Sequence, residues 1–196
     1  IEQEVINNSA QDISLLPYGL INRMRDDKQS IYILHEGPLA VTDGILNEVT
    51  YGEMQEKKEV TYQNVKGWFG ITDKYWLSAI IPSQESNVDG HFNYIYGKGK
   101  NRYQIDYLGQ KEDIAAGSSA KVTTNMFVGA KEIAILDEYQ EQLNTELFDR
   151  SVDFGWLYFM TKPMTKILKF FHDYLGNFGL AILLLTVIIR IILFPL

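Results

Sequence analysis

The sequence ends in a long apolar stretch: residues 177–196 read NFGLAILLLTVIIRIILFPL. From residue 179 onward, every residue is apolar or small except Thr186 and Arg190. In an α-helix, which rises about 1.5 Å per residue, this stretch would reach roughly 27 Å, close to the ~30 Å hydrocarbon core of a bilayer. It therefore predicts a transmembrane helix over residues 178–196, truncated at its far end.

Thr186 and Arg190 are the two polar residues of this stretch. Because they are four residues apart, they share one face of a helix. An arginine deep in a bilayer costs roughly 2.5–3.5 kcal/mol, so its presence there indicates a function. Two simpler interpretations stay open: Arg190 snorkels to the far headgroups, and Thr186 bonds to a backbone carbonyl one turn back.

Residues 154–175 form a predicted amphipathic helix directly before the apolar stretch. One side is rich in aromatic residues and begins at Trp156, and the opposite side carries Lys162, Lys166 and Lys169. A basic face against an aromatic, apolar face is typical of a helix that lies in the membrane interface. Docking of the helix on a protein core is the alternative, but the apolar stretch that follows favours the interface.

Residues 1–150 indicate β structure with one helix at the end. Short apolar or alternating segments, rich in Tyr, Phe, Ile, Val and Thr, predict strands of antiparallel sheets packed as a sandwich. Trp68 and Trp76 are predicted to fill its core, and residues 130–148 to form an amphipathic helix docked on it. The predicted strands cover residues 13–16, 30–34, 68–72, 75–81, 92–96, 103–108 and 120–128.

Charge is divided unevenly along the chain. Residues 1–150 contain 14 Lys and Arg against 23 Asp and Glu, whereas residues 151–196 contain 4 against 2. The acidic first part argues against nucleic acid as a partner, because phosphate contacts need a basic surface. The chain has no cysteine, which excludes disulfide and thiolate chemistry.

Residues that could carry enzymatic chemistry are few. The three histidines, His35, His91 and His172, lack the spacing of metal ligands. His91 lies near Asp89 and Glu85 in the sequence, and this cluster is predicted to be a polar loop. We therefore expect no catalytic residues, no metal site and no cofactor.

Several separated motifs occur in one order along the chain. Residues 67–82 read GWFGITDKYWLSAIIP, and residues 127–131 read FVGAK. Residues 153–179 read DFGWLYFMTKPMTKILKFFHDYLGNFG, followed by TVIIR at 186–190 and FPL at 194–196. From about residue 15 to its end, the chain resembles the bacterial membrane-protein insertases of the YidC/Oxa/Alb family.

The resemblance implies a mainly β fold in a multi-pass protein of the bacterial inner membrane. Residues 1–150 would be an antiparallel β-supersandwich in the periplasm with a C-terminal helix, residues 154–175 an interfacial helix, and residues 178–196 a transmembrane helix. Arg190 matches the arginine of the family's hydrophilic groove, and Thr186 matches a groove-lining threonine one turn earlier.

The resemblance also implies a function. Such a protein inserts nascent inner-membrane proteins and helps them fold, alone or with the Sec translocon. The implied partners are nascent membrane proteins, the lipid bilayer, SecYEG, SecDF and the ribosome, the last through parts outside this chain. No bond is made or broken in this activity, so we expect the chain not to be an enzyme.

A binding module is the alternative function. In that case the chain is a membrane-anchored periplasmic sandwich that holds carbohydrate or peptide, since the family's periplasmic fold resembles sugar-binding and sugar-epimerising proteins. This hypothesis predicts an open cleft lined by aromatic side chains and a few converging polar groups. Exposure of Trp68 or Trp76 would point to such a binding face.

Overall fold

The computed structural model describes residues 1–25, 34–97, 99–155 and 157–194. The chain divides into two compact units, Ile1–Asp153 and Phe154–Leu196. We call the first the sandwich unit and the second the helical unit. The strand predicted over residues 30–34 lies outside the described residues except for its last position.

The elements of the sandwich unit are mostly strands, which confirms the mainly β prediction. Its helices are α1 (Tyr51–Lys57), α2 (Ile133–Gln142) and a short 3₁₀ helix (Phe148–Ser151). Its strands are β1 (Glu2–Ile6), β2 (Ile13–Leu15), β3 (Tyr18–Arg25), β4 (Gly37–Thr42), β5 (Ile45–Glu48), β6 (Glu59–Val65), β7 (Gly67–Thr72), β8 (Trp76–Ile81), β9 (Val88–Gly97), β10 (Lys100–Leu108), β11 (Glu112–Ile114), β12 (Ser119–Thr123) and β13 (Asn125–Ala130).

The strands form two main antiparallel sheets and two small ones. A four-stranded sheet has the order β3-β10-β9-β6, and a five-stranded sheet has the order β13-β8-β7-β4-β5. Two further pairs, β1 with β12 and β2 with β11, join strands that are about a hundred residues apart in the sequence. The predicted antiparallel sandwich is thus confirmed, and the small pairs were not predicted.

The first hydrophobic core lies between the two main sheets. Residues of β10 alternate, so that Tyr103, Ile105 and Tyr107 are buried while Gln104 is only half-buried, as expected when successive side chains of a strand point to opposite faces. Phe69 of β7 is fully buried in the same cluster. This alternation is the sequence signal that identified the strand.

The second core lies on the other face of the five-stranded sheet. Trp68 is fully buried there, as predicted, and its indole Nε1 donates to the Glu146 carbonyl at 3.0 Å. Leu136 of α2 and Phe148 of the 3₁₀ helix cover this face. The predicted helix over residues 130–148 is shorter in the structure, because positive φ angles after α2, among them 54° at Leu147, break the helical path.

Gly67, the first residue of β7, fixes the close approach of that strand to β4. Its φ is +142°, and a Cβ atom placed there would lie 1.8 Å from the backbone oxygen of Val41. No side chain fits in that space. The glycine that opens the GWFGITDKYWLSAIIP motif is therefore required by strand packing.

The helical unit contains α3 (Tyr158–Leu175) and α4 (Phe178–Leu193). α3 ends at Gly176, which has a left-handed conformation and donates to the His172 carbonyl at 2.7 Å. Asn177 caps α4 by accepting from the backbone N–H groups of Gly179 and Leu180. Gly176 and Asn177 thus each take the role at a helix boundary that their chemistry suits.

α4 is the segment predicted as a truncated transmembrane helix over residues 178–196. The structure describes it as 16 helical residues, and the last two residues of the predicted span lie outside the described part. Within the residues that the structure describes, no helix is both long enough and apolar enough to cross a membrane.

Candidate functional site

α3 presents an apolar face that is exposed along its length. These side chains recur at steps of three and four residues, so they share one side of the helix. Their exposed fractions reach 85% at Tyr174, and none of the residues of α3 is buried. The exposed apolar face consists of Phe159, Met160, Pro163, Ile167, Phe170 and Tyr174.

A basic stripe runs beside the exposed apolar face. Lys166 and Lys169 are exposed, and Lys162 is half-buried with its Nζ 5.6 Å from the centre of the Tyr158 ring. This cation–π geometry holds the Lys162 amine against an aromatic surface. Trp156, the fourth residue predicted for this helix's function, lies outside the described residues.

The third face of α3 packs against α4. The His172 ring stacks on the Phe178 ring with centres 3.7 Å apart, and Ala181 is fully buried. Hydroxyl groups on this face are satisfied within the helix, because Thr165 Oγ1 donates to the Thr161 carbonyl at 2.8 Å. α3 thus has a protein-facing side, a basic side and an apolar side that no described residue covers.

Thr186 and Arg190 lie on α4 one turn apart, and both are exposed. No hydrogen bond joins these two described side chains. The Thr186 hydroxyl instead donates to the Ile182 carbonyl at 2.8 Å, which is the backbone bond that the simpler interpretation predicted. Among the described residues, no carboxylate forms an ion pair with Arg190.

The charge of the helical unit is opposite in sign to that of the sandwich unit. Its basic residues are the three lysines of α3 and Arg190, and its acidic residue is Asp173. Asp173 lies 3.3 Å from the His172 ring nitrogen and is exposed. A basic, apolar surface is suited to anionic headgroups and to acidic segments of other proteins.

One open depression lies on the sandwich unit, beside the end of α2. Its volume is about 410 Å³, and none of its lining residues is aromatic. It therefore lacks the aromatic lining that the carbohydrate-binding hypothesis predicts. The lining residues are Gly44, Gln140, Glu141, Asn144, Thr145, Glu146 and Leu147.

A polar network covers part of the outer face of the four-stranded sheet. Asp106 is 5% exposed, and its carboxylate lies 3.1 Å from His91 Nδ1 and accepts from Gln104 at 2.8 Å and Asn93 at 3.3 Å. The prediction that His91 belongs to a polar loop with Asp89 and Glu85 was wrong, because His91 lies within β9 and pairs with β10.

Sequence alternation could have found this network. In β9 and β10 the polar residues alternate with Phe92 and Ile105, which face the core. The register that puts His91 opposite Asp106 could not be predicted, since it depends on strand pairing. Within the described residues, no cluster of three or more His, Asp or Glu side chains could hold a metal ion.

The two units together define a class of protein. An antiparallel β-sandwich continues directly into an amphipathic helix and then into a strongly apolar helix that carries one arginine. The sandwich unit buries its apolar side chains, while the helical unit exposes an apolar surface flanked by cations. This is the architecture of a sandwich domain followed by an apolar helical segment.

Comparisons with known proteins identify the family. Residues 1–167 match the family described as the YidC periplasmic domain. The membrane protein insertases YidC of Rickettsia felis and Rickettsia akari are each 42% identical to the chain over 198 residues, and that of Rickettsia canadensis is 41% identical. Each alignment covers 100% of this chain and 35% of the relative.

The chain belongs to the YidC family. It spans about a third of the length of the curated relatives that it matches. The matched region includes the whole sandwich unit and reaches into α3, and the alignments with the relatives extend through α4. The resemblance drawn from the sequence motifs is therefore confirmed.

Proposed function

We propose that this chain is part of a membrane protein insertase of the bacterial inner membrane. The observation that carries the proposal is an exposed arginine without an ion pair among the described residues, Arg190, on a helix that is otherwise almost wholly apolar. A guanidinium in such a place needs water or an anionic partner. A nascent chain that crosses the membrane supplies the partner, and a hydrated groove supplies the water.

Depth supports a groove role for Arg190. If the chain enters the hydrocarbon near Phe178, Arg190 lies twelve residues further along the helix, or about 18 Å deep. That position is past the middle of a ~30 Å core. We therefore place Arg190 in the inner leaflet, in a groove that further parts of the insertase complete.

In the proposed mechanism, the polar segments of a substrate protein cross a shorter apolar distance. Arg190 attracts the hydrophilic flank of a nascent membrane protein into the groove through a charge-assisted hydrogen bond. The flank then has less apolar thickness to cross. The hydrophobic segment of the substrate moves into lipid along α4, driven by its own burial. Thr186, one turn before Arg190, lines the same groove.

α3 serves as the interfacial helix in this proposal. Its exposed apolar face enters the headgroup region, and Lys162, Lys166 and Lys169 contact lipid phosphates. We also propose Trp156, two residues before α3 in the sequence, as an interfacial residue. Such a helix lies in the interface plane with its apolar side buried about 5–10 Å deep. The sandwich unit lies in the periplasm and offers a docking surface for SecYEG and SecDF, while the ribosome meets other parts of the insertase.

A carbohydrate-binding sandwich remains the second candidate, because the Asp106 network gathers planar polar side chains on one sheet face. Titration of the chain with galactose and glucose, followed by calorimetry, tests it. Asp106→Asn should abolish the heat of binding, and Asp113→Asn, at an exposed site, should not. Absence of heat in the unmodified chain would remove this candidate.

Site-specific photo-crosslinking in the full-length membrane protein tests the insertase proposal. A crosslinker at position 190 is compared with one at Leu183, an exposed apolar residue of the same helix. Ribosomes stalled on a short single-span substrate provide the nascent chain. We expect strong crosslinks from position 190 and weak ones from position 183.

The opposite results have equally clear meanings. Equal crosslinks from both positions would show that the whole helix is surrounded by substrate or lipid without a groove. Absent crosslinks from position 190 would reduce Arg190 to an anchor. As a functional control, Arg190→Ala should block insertion of the substrate, while Arg190→Lys should retain part of the activity, because it keeps the charge but loses the bidentate geometry.

A further inference from the structure

The turn between β7 and β8 exposes two aromatic side chains. Tyr75 is 63% exposed and Trp76 is 61% exposed, whereas Trp68 in the preceding strand is fully buried. The sequence predicted that both tryptophans fill the core, and for Trp76 that prediction was wrong. We call Lys74, Tyr75 and Trp76 the aromatic tip.

The aromatic tip is held firmly in place. The backbone N–H of Asp73 donates to the Trp76 carbonyl at 2.8 Å, and the N–H of Lys131 donates to the Tyr75 carbonyl at 2.9 Å. The Asp73 carboxylate forms an ion pair with Arg23 of β3. Both aromatic side chains thus lie on a turn that two hydrogen bonds and an ion pair hold in place, so their exposure is a fixed feature of the sandwich.

Cations lie beside the aromatic rings. Lys74 Nζ lies 4.9 Å from the centre of the Tyr75 ring, and Lys131 Nζ donates to Thr72 Oγ1 at 3.0 Å. Two of the nearby carboxylates are paired, Asp73 with Arg23 and Glu36 with Arg25 at 3.3 Å. Tyrosine, tryptophan and lysine are the residues that settle at the boundary between lipid and water.

The chain leaves the sandwich at the same end as the aromatic tip. Gly37 pairs with Thr72, and two residues earlier the His35 backbone N–H donates to the Asp153 carboxylate at 3.2 Å. Burial lowers the pKa of Lys131, while the negative charge of Asp153 opposes that shift. Asp153 is the last residue of the sandwich unit.

From these observations we propose that the aromatic tip contacts the lipid headgroups of the membrane. The inference rests on the proposed function, because it takes α3 as an interfacial helix that begins within a few residues of Asp153. A sandwich tethered to the membrane at one end turns that end toward the lipid. Tyr75 and Trp76 then enter the interface, and Lys74 pairs with phosphate.

Quenching of tryptophan fluorescence tests the contact. The full chain is placed in vesicles of phosphatidylethanolamine and phosphatidylglycerol, with brominated phosphatidylcholine as the quencher. The wild type is compared with Trp76→Phe, since Trp68 and Trp156 are present in both and cancel. A matched control adds Ile45→Trp to Trp76→Phe. Ile45 is 64% exposed and lies in the β4–β5 hairpin, at the opposite end of β4.

We expect the wild type to lose more fluorescence than Trp76→Phe when brominated lipid replaces ordinary lipid. The variant that combines Ile45→Trp with Trp76→Phe should show no such extra loss. Equal quenching of Trp76 and of the tryptophan introduced by Ile45→Trp would overturn the inference, because it would indicate that the sandwich adsorbs to lipid without a preferred orientation. No extra quenching in the wild type would also overturn it and would leave the aromatic tip to a protein partner.

A third reporter separates this inference from the proposed function. Phe159→Trp, added to Trp76→Phe, places the reporter on the exposed apolar face of α3. Quenching at position 159 without quenching at Trp76 overturns the aromatic tip alone and keeps the interfacial helix. Absence of quenching at both positions contradicts the interfacial helix as well.

Discussion

The sandwich unit and the helical unit differ in whether their apolar side chains are buried. Among the described residues, every buried apolar side chain lies in the sandwich unit except Ala181. In the helical unit, by contrast, Phe159, Phe170 and Phe194 are 68%, 67% and 91% exposed. Removal of apolar surface from water stabilises the first unit, whereas the second unit leaves a large apolar surface exposed, as interaction surfaces do.

The largest expected effect concerns the interior of the sandwich unit. Trp68→Ala should lower the free energy of unfolding by about 3–5 kcal/mol, because it leaves a cavity against Phe148 and removes the bond to Glu146. Urea unfolding followed by circular dichroism measures the change. Trp76→Ala is the matched control at an exposed site and should stay within about 0.5 kcal/mol. Similar losses for both variants would contradict the assignment of the two tryptophans.

The second prediction concerns close packing of the sandwich strands. Gly67→Ala should cost about 1–3 kcal/mol or more, since the new Cβ would collide with the Val41 backbone. Gly117→Ala should cost about 1 kcal/mol, because Gly117 also has a positive φ but meets nothing within 4 Å. Thermal unfolding of both variants checks the difference. Equal costs would mean that conformation, and not collision, dominates at Gly67.

The third prediction concerns the contact between α3 and α4 in the helical unit. Ala181→Leu should weaken the α3–α4 pair by about 1–3 kcal/mol, because Ala181 has no free surface to accommodate a larger side chain. Hydrogen exchange of α3 and α4 amides in detergent micelles should become faster. Ile182→Leu, at a neighbouring residue that is 52% exposed, is the control and should leave exchange unchanged.

The smallest expected effect concerns a helix cap in the sandwich unit. Thr50 and Glu53 form a capping box at α1, so Thr50→Ala should cost about 1 kcal/mol. Hydrogen bonds from the Thr50 backbone N–H, and then from its hydroxyl, lower the pKa of Glu53 below its usual 4.5, and Thr50→Ala removes the hydroxyl bond alone. This part of the stabilisation is present above pH 4.5 and is lost as the pH falls through the lower folded-state pKa.

Urea unfolding of the Thr50→Ala variant at several pH values checks that sign. The difference between Thr50→Ala and the wild type should shrink below pH 4.5. A difference that grows on acidification would rule out the Glu53 carboxylate as the partner. Thr123→Ala, at an exposed strand position, serves as a control without a cap.

The sequence was most informative where a pattern repeats. The alternation around Tyr103 and Ile105 predicted β10, and the three- and four-residue steps from Phe159 to Tyr174 predicted α3. The prediction that Trp76 is buried failed, because Trp76 is the first residue of β8 and pairs with Ala130 at the end of edge strand β13. The hydrophobicity of a side chain favours its burial, but whether it is buried depends on which elements pack against it.

The sequence also predicted one part of the candidate site and missed another. Helical spacing placed Thr186 and Arg190 on one face, and the structure keeps them there. Helical spacing could not predict that the Thr186 hydroxyl would donate to the Ile182 carbonyl, since that choice depends on the local rotamer. Nor could it predict the network around Asp106, which requires the register of β9 and β10.

The pairing of β1 with β12 has a consequence for the order of folding. Glu2 pairs with Thr123, and the backbone N–H of Thr124 donates to the Ile1 carbonyl at 2.8 Å. At a synthesis rate of about 5–20 residues per second, β1 must wait roughly 6–25 s for its partner strand to be made. Such distant pairings also slow the folding reaction itself. Of the described strands, β1 therefore waits longest for its partner, and it stays unpaired until β12 has been made.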